Sequence, residues 1–120
     1  MTSEPIGAVA FSPDGRKVVS GGLYSTLRVW EAASGRELLS FEGHEDIIDS
    51  VAFSPDGRQI LSASADLTVR LSEAQSGRAI LTLRGQATRP RSAVFSPDGR
   101  RIVVGNPGCR RTGGSPDSVS

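Results

Sequence analysis

The sequence lacks the features of disulfide-stabilised, zinc-binding and membrane-spanning proteins. Its single cysteine, Cys109, excludes an intrachain disulfide and has no spaced partners with which to bind zinc. No apolar run approaches the roughly 18 residues of a membrane span. Residues 1–5 do not form a basic segment that precedes an apolar one, as a secretory signal would. We therefore expect a cytoplasmic protein, in a compartment that keeps thiols reduced.

A large excess of charge of one sign is also missing. The chain has 14 basic and 13 acidic residues and a net charge of +1, and aromatic residues make up only 5% of it. Several arginines lie close together in the sequence, at Arg84, Arg89, Arg91, Arg100 and Arg101, and a basic patch for phosphate or nucleic acid is one interpretation of them. Because aromatic side chains that would stack on bases are nearly absent there, we favour a solvated surface. We expect neither nucleic acid nor a membrane as a partner.

Histidine occurs once, which limits the chemistry available to the chain. His44 is followed by Glu45, Asp46 and Asp49, so a metal or acid–base cluster is a conceivable interpretation. A second histidine that would help to ligate a metal is missing. The serines offer no Gly-x-Ser-x-Gly nucleophile elbow. We expect no catalytic residue, no metal site and no cofactor, and a structural role for His44.

What the sequence does contain is a repeat. The string Phe-Ser-Pro-Asp-Gly-Arg occurs three times, at Phe11–Arg16, Phe53–Arg58 and Phe95–Arg100, and each copy begins 42 residues after the preceding one. A fixed period of about 40 to 45 residues is typical of stacked or radial repeat folds. Each unit of such a fold exposes an apolar face that a neighbouring unit must cover.

Each repeat has the pattern of four short antiparallel strands. In the Ser-Pro-Asp-Gly turn, proline fixes φ at the second position, and aspartate can adopt the backbone conformation of the third. Glycine supplies the positive φ of a bulged hairpin. Further glycine-containing or polar turns separate the other apolar runs. In the first repeat the predicted strands are Ile6–Phe11, Lys17–Ser20, Thr26–Trp30 and Glu37–Glu42. No segment has the periodicity and caps of a helix.

The strands Asp49–Phe53 and Arg78–Leu83 carry apolar residues on both faces. A sheet with one wet face would instead alternate apolar and polar residues. The pattern therefore favours sheets packed between like sheets, in a row or in a ring.

With these motifs the chain resembles the WD-repeat family. The similarity spans about residues 6–104 and rests on Gly43-His44, Val51–Arg58, Ser62–Asp66 and Trp30-Glu31, where glutamate replaces the family's aspartate. The resemblance implies an all-β fold, a β-propeller built from about four to eight blades of four antiparallel strands. It also implies a non-catalytic scaffold that binds other proteins.

The resemblance further implies a buried hydrogen-bond chain through a histidine, a serine or threonine, an aspartate and a tryptophan. The second repeat supplies His44, Ser62 and Asp66, but Ser72 stands at its tryptophan position. The first repeat supplies Ser20 and Trp30. The remaining positions of the three repeats carry other residues: Thr2, Tyr24, Gln86, Gly108 and Gly114. Since no repeat has the full set, we expect weaker satisfaction of buried polar groups than in a regular propeller.

In WD-repeat proteins, partners commonly dock on residues at the entry to a blade and just before the turn aspartate. The corresponding positions here, which we take as the candidate partner-binding face, are Pro5, Leu23, Ile47, Ala65, Arg89 and Pro107. They are mostly small or apolar, which suits contact with a protein and indicates no particular ligand.

The period divides the chain into a first blade at 1–42, a second at 43–84 and a partial third at 85–104. We expect the strands to end near Val104 and residues 105–120 to be a disordered or degenerate tail. Such an incomplete propeller cannot close a ring by itself. A fragment of a longer propeller is our first interpretation. Assembly with copies of itself, a decaying reading frame, and an accessory module of a larger bacterial kinase or protease are the alternatives.

Overall fold

The computed structural model describes residues 6–22, 25–84, 90–106 and 109–112. Its secondary structure in these ranges is entirely β, which confirms the predicted all-β class, and no helix there is long and apolar enough to cross a membrane. The strands are β1 Ile6–Phe11, β2 Lys17–Gly22, β3 Thr26–Glu31, β4 Glu37–Glu42, β5 Ile48–Phe53, β6 Gln59–Ser64, β7 Val69–Glu73, β8 Ala79–Leu83, β9 Ser92–Phe95, β10 Ile102–Asn106 and β11 Cys109–Thr112.

The strands form three antiparallel meanders in chain order. Sheet 1 contains β1 to β4, sheet 2 contains β5 to β8, and sheet 3 contains β9 to β11. Each of the first two sheets has the four strands that the repeat predicts. The described strands form an incomplete propeller, with three sheets in a row rather than a closed ring.

The Ser-Pro-Asp-Gly turns have the geometry that their sequence predicts. In the first turn, the N–H of Gly15 donates to the carbonyl of Ser12 over 2.9 Å, and Gly15 has a φ of +73°. The hydroxyl of Ser12 donates to Asp14 over 2.6 Å and accepts from the N–H of Lys17 over 3.0 Å. The same bonds recur 42 and 84 residues later, at the turns that begin with Ser54 and Ser96. Identical local chemistry therefore builds one hairpin three times.

Two faces of each sheet must be distinguished. The leading face of sheet 1 is the face that carries Val9 and Phe11. In sheets 2 and 3 the leading face carries the residues at the same repeat positions, which are Val51 and Phe53 in sheet 2 and Ala93 and Phe95 in sheet 3. The opposite one is the trailing face. The trailing face of sheet 1, with Val19, Leu27 and Val29, packs on the leading face of sheet 2, with Val51, Phe53 and Ile60.

The same arrangement is repeated one sheet further along the row. The trailing face of sheet 2, with Leu61, Ala63, Val69 and Leu71, packs on the leading face of sheet 3, with Ala93, Ile102 and Val104. Burial of one Val, Leu or Ile side chain contributes about 1.5–3 kcal/mol, so these two interfaces dominate the stability of the row. Sheet 2 is covered on both faces, as its apolar strands predict.

The third sheet extends further than expected. β10 continues past Val104 to Asn106, and β11 pairs with it in the register Asn106 with Cys109 and Val103 with Thr112. The prediction that the strands end near Val104 is therefore wrong. Backbone pairing does not require apolar side chains, and β10 is already anchored by buried Ile102 and Val104. The remaining tail, residues 107–108 and 113–120, lies outside the described residues.

Candidate interaction site at the loop end

The two ends of each sheet differ in construction. At one end lie the Ser-Pro-Asp-Gly turns and the turns between the third and fourth strands. At the other end, which we call the loop end, the β6–β7 turn Ala65–Thr68 meets the segment Gly43–Ile47 that connects β4 with β5. This loop end contains Ile47 and Ala65 together with the candidate structural residues His44 and Asp66.

His44 is fully buried at the centre of a polar network. Its Nδ1 lies 3.0 Å from Oδ2 of Asp66 and 3.0 Å from Oγ1 of Thr68, and its Nε2 lies 2.7 Å from Oγ of Ser62. The structure thus brings together His44, Ser62 and Asp66 as the sequence placed them. Thr68 was missed, although an aspartate followed two residues later by a threonine is the sequence signal of such a side-chain-bonded turn.

Asp66 joins the turn to the incoming segment. One of its oxygens accepts the N–H of Glu45 over 3.0 Å, and the other accepts the N–H of Thr68 over 2.9 Å and the Thr68 hydroxyl. Between them Leu67 has a φ of +69°, a left-handed conformation that is costly for a branched aliphatic residue. The hydrogen bonds of Asp66 hold this conformation in place.

The network fixes the charges of its members. Burial acts to raise the pKa of Asp66, but the hydrogen bonds from Thr68 and from the N–H of Glu45, with His44 nearby, lower it to about 2. Burial lowers the pKa of His44 below 6.5, and the Asp66 carboxylate offsets only part of that effect. At neutral pH Asp66 is therefore ionised and His44 neutral. Since an ionised carboxylate only accepts, Nδ1 carries the proton and Nε2 accepts the hydroxyl proton of Ser62.

In sheet 1 the network takes a different form. The indole N–H of Trp30 donates to Oγ of Ser20 over 2.9 Å, and both residues are buried. In sheet 2 the position of Trp30 belongs to Ser72, which is buried and pairs with Ile60 as Trp30 pairs with Val18. The substituted positions Thr2, Tyr24, Gln86, Gly108 and Gly114 lie outside the described residues.

Of the candidate partner-binding face, Ile47 and Ala65 are described. The N–H of Ala65 donates to the carbonyl of Ile47 over 2.9 Å, and the hydroxyl of Ser64 donates to the same carbonyl over 2.7 Å. Both residues are half-buried, and Leu67, next to Ala65 on the turn, is exposed. The other positions of this face, Pro5, Leu23, Arg89 and Pro107, fall among residues that the structure does not describe.

The loop end has no set of groups suited to a metal. Within the described ranges, no group of three or more His, Cys, Asp or Glu side chains is arranged to hold an ion. Asp66 directs its oxygens to protein donors, as the bonds above show. The arrangement supports an ordered surface around Ile47 and Ala65, with exposed Glu45 and Asp46 beside it.

A family model described as "WD domain, G-beta repeat" matches residues 2–31 and 35–71. These two stretches include sheet 1 and most of the first three strands of sheet 2, together with His44 and Asp66. The match therefore covers the part of the chain in which the polar networks lie.

Two relatives resemble single stretches of the chain. An uncharacterized WD repeat-containing protein of Nostoc sp. is 48% identical over 42 residues, which are 35% of this chain and 3% of that protein. The dynein assembly factor with WD repeat domains 1 of Xenopus laevis is 39% identical over 44 residues, which are 37% of this chain and 11% of that protein. The matched stretches thus span only a small part of either relative.

Proposed function

Since the chain belongs to the WD-repeat family, whose model matches more than half of its length, we propose that it is a non-catalytic scaffold that binds another protein through its loop end. WD-repeat domains generally mediate contacts between proteins. Fold alone does not identify a site, so the proposal depends on the residues of the loop end. Ile47, Ala65 and Leu67 form the described part of the binding surface.

The observation that carries this proposal is the set of hydrogen bonds that joins the segments of the loop end. Ile47 and Ala65 come from different segments but share a backbone hydrogen bond. Directly beneath them, Asp66 ties the turn to Glu45 and to buried His44. A surface that is already ordered loses little conformational entropy when it binds, so even a small apolar contact can yield useful affinity.

The chemistry of this surface suits a protein partner. Leu67 is an exposed aliphatic side chain on a left-handed backbone, a conformation that the fold maintains at a cost. Ile47 and Ala65 beside it are apolar and half-buried. A partner with a small apolar protrusion and a polar rim would complement this surface.

The proposal is tested with the tagged, purified chain and an extract of the source cells. Proteins retained by the chain are identified by mass spectrometry, purified and titrated by calorimetry. The loop-end variant combines Ile47→Asp with Leu67→Asp, and the matched control is Ile80→Asp, which changes an exposed aliphatic residue at the opposite end of sheet 2. We expect the loop-end variant to weaken binding at least tenfold and the control to bind like the original chain.

Retention of no protein by the original chain would contradict the scaffold function. Equal binding by the original chain and the loop-end variant would contradict the assignment of the site. Circular dichroism of each variant confirms that a loss of binding does not reflect unfolding.

A further inference from the structure

The leading face of sheet 1 is an uncovered copy of a surface that is buried elsewhere in the molecule. Val9 and Phe11 on this face are 59% and 65% exposed. Their equivalents in sheet 2, Val51 and Phe53, are only 8% and 9% exposed, because the trailing face of sheet 1 covers them. The same two repeat positions therefore lie at an interface in one sheet and in solvent in another.

The structure shows what fits such a face. The leading faces of sheets 2 and 3 are each covered by the trailing face of the preceding sheet. The surface that covers sheet 2 is the trailing face of sheet 1. It consists of Val19, Leu27 and Val29, with Ala10 beside them. A trailing face of this kind is therefore the occupant for which the leading face of sheet 1 is shaped.

A trailing face is available at the other end of the row. Val94 and Val103 of sheet 3 stand at the repeat positions of Ala10 and Val19, and Gly105 stands at that of Gly21. Val94 is 48% exposed and Val103 is half-buried. Small or apolar residues are thus kept at these three positions in sheet 3. On its third strand, Thr112 and Arg110 pair with Val103 and Gly105, where Val29 and Leu27 pair with Val19 and Gly21 in sheet 1. The row begins with an open leading face and ends with an open trailing face.

The polar groups on the leading face of sheet 1 are compatible with burial. The indole N–H of Trp30 is bonded to Ser20, and the guanidinium of Arg28 forms an ion pair with Glu37. A partner that excludes water from this face would not leave the indole N–H or the Arg28–Glu37 pair without a counterpart.

We propose that the chain pairs with a second copy of itself, head to tail, through these two faces. The leading face of sheet 1 in each copy packs on the trailing face of sheet 3 in the other copy. This contact involves different residues from the loop end and does not depend on the proposed scaffold function.

The number of sheets determines the size of the assembly. A heterologous contact generates a closed ring when its rotation closes and an open filament otherwise. Closed propellers contain about four to eight blades. Each copy has three described sheets, so two copies supply six and three copies would exceed the range. The assembly is therefore a closed pair with two equivalent interfaces.

Analytical ultracentrifugation of the purified chain tests the pair. We expect a mass twice the 12.6 kDa of one chain at micromolar concentration. Phe11→Arg alters the leading face and Val94→Arg alters the trailing face, and each should weaken pairing at least a hundredfold. Ile80→Arg, an exposed aliphatic residue on neither open face, is the matched control and should still pair.

Mixing the two interface variants tests the head-to-tail order. Each variant keeps one unaltered face, so an equimolar mixture should form a heterodimer through a single intact interface, although neither variant pairs by itself. If Val94→Arg alone still pairs, the contact is between two leading faces and the proposal is overturned.

The mass and the thermal melt of the unaltered chain test the pair even if a variant does not fold. A cooperative thermal melt with a constant monomer mass up to 100 µM would overturn the pair. Masses that grow without limit would show an open filament and would overturn the closed ring. Circular dichroism verifies the β content of each sample.

Discussion

Nε2 of His44 lies 2.7 Å from Oγ of Ser62, deep between sheets 1 and 2. With Asp66 on Nδ1, the atoms follow the order of a Ser-His-Asp triad. Ser62 is only 1% exposed and the His44 side chain is fully buried, so a substrate carbonyl cannot reach Oγ. The same geometry that activates a nucleophile in a cleft serves here to satisfy buried polar groups.

Replacement of Ser62 by alanine should destabilise the fold. The change leaves Nε2 of His44 buried without a partner, which costs about 1–3 kcal/mol. Urea denaturation followed by circular dichroism measures the difference in the free energy of unfolding. Ser40→Ala, at an exposed position of β4, is the control and should change it by less than about 0.5 kcal/mol. A Ser62→Ala protein as stable as the original would contradict the structural role of the network.

Acid should weaken the fold in two stages. The folded pKa of His44 lies below 6.5, so its contribution is complete above pH 6.5 and decreases as the pH falls through that value. The folded pKa of Asp66 is about 2 against 3.8 ordinarily, so its contribution is complete above pH 3.8 and is lost towards pH 2. This second loss amounts to about 2.5 kcal/mol at most. Urea midpoints measured from pH 8 to pH 2 test both stages.

Asp66→Asn is the control for the acid-sensitive stage. It should be less stable at pH 7, and its stability should fall less steeply between pH 4 and pH 2. Some dependence will remain, because hydrogen bonds from Ser12, Ser54 and Ser96 lower the pKa of the turn aspartates Asp14, Asp56 and Asp98. An unchanged slope in Asp66→Asn would show that Asp66 is not the group responsible.

Alanine substitutions at Gly77 and Gly35 distinguish the cost of backbone strain from the cost of a clash between sheets. Both glycines occupy the same turn position, with φ of +76° and +75°. A Cβ at Gly77 would lie 2.6 Å from Cγ of Phe41 in the adjoining sheet, whereas one at Gly35 meets nothing within 4 Å. We expect Gly35→Ala to cost about 1–2 kcal/mol from the backbone alone, and Gly77→Ala to cost a further 1–3 kcal/mol or so. Equal urea midpoints for the two variants would exclude the contact with Phe41.

A carboxylate placed opposite Arg70 should increase the stability of the folded chain. In sheet 1, Arg28 forms an ion pair with Glu37, but the position equivalent to Glu37 in sheet 2 belongs to Ala79. The contact in sheet 1 is made by Nη1 of Arg28, and the Ala79 side chain has no oxygen to offer Arg70 in the same way. Ala79→Glu should therefore raise the free energy of unfolding by about 0.5–1 kcal/mol at low salt. Ala79→Gln, which lacks the charge, should produce a smaller gain, and the difference should shrink in 1 M NaCl.

The repeated hairpins could be predicted from the sequence because their determinants are local. Proline and glycine at fixed turn positions, and apolar residues on both sides of them, specify the β1–β2 hairpin and its two copies. His44, Ser62 and Asp66 could also be placed, because the repeat frame fixes their spacing. The structure brings these three residues together and separately pairs Ser20 with Trp30.

Other features depended on contacts that a linear pattern does not show. β11 has no apolar alternation, so its pairing with β10 follows from the neighbouring strand rather than from its own side chains. Thr68 enters the network only because Leu67 takes a left-handed conformation that turns the chain back towards His44. The ion pair of Arg28 and Glu37 joins two strands whose register includes a bulge. Spacing along the chain could not predict the β10–β11 pairing or this ion pair, whereas the two-residue spacing of Asp66 and Thr68 is a signal that could have identified Thr68.

The two interfaces between sheets are built from the same repeat positions, 42 residues apart, and this similarity affects how such a gene can change length. An in-frame duplication or deletion of 42 codons would add or remove one whole sheet and leave every remaining interface with its proper partners. A change of 41 or 43 codons within a strand would turn its apolar side chains to the wrong face. Recombination between the repeats is therefore expected to preserve variants that differ by whole units and to eliminate the others.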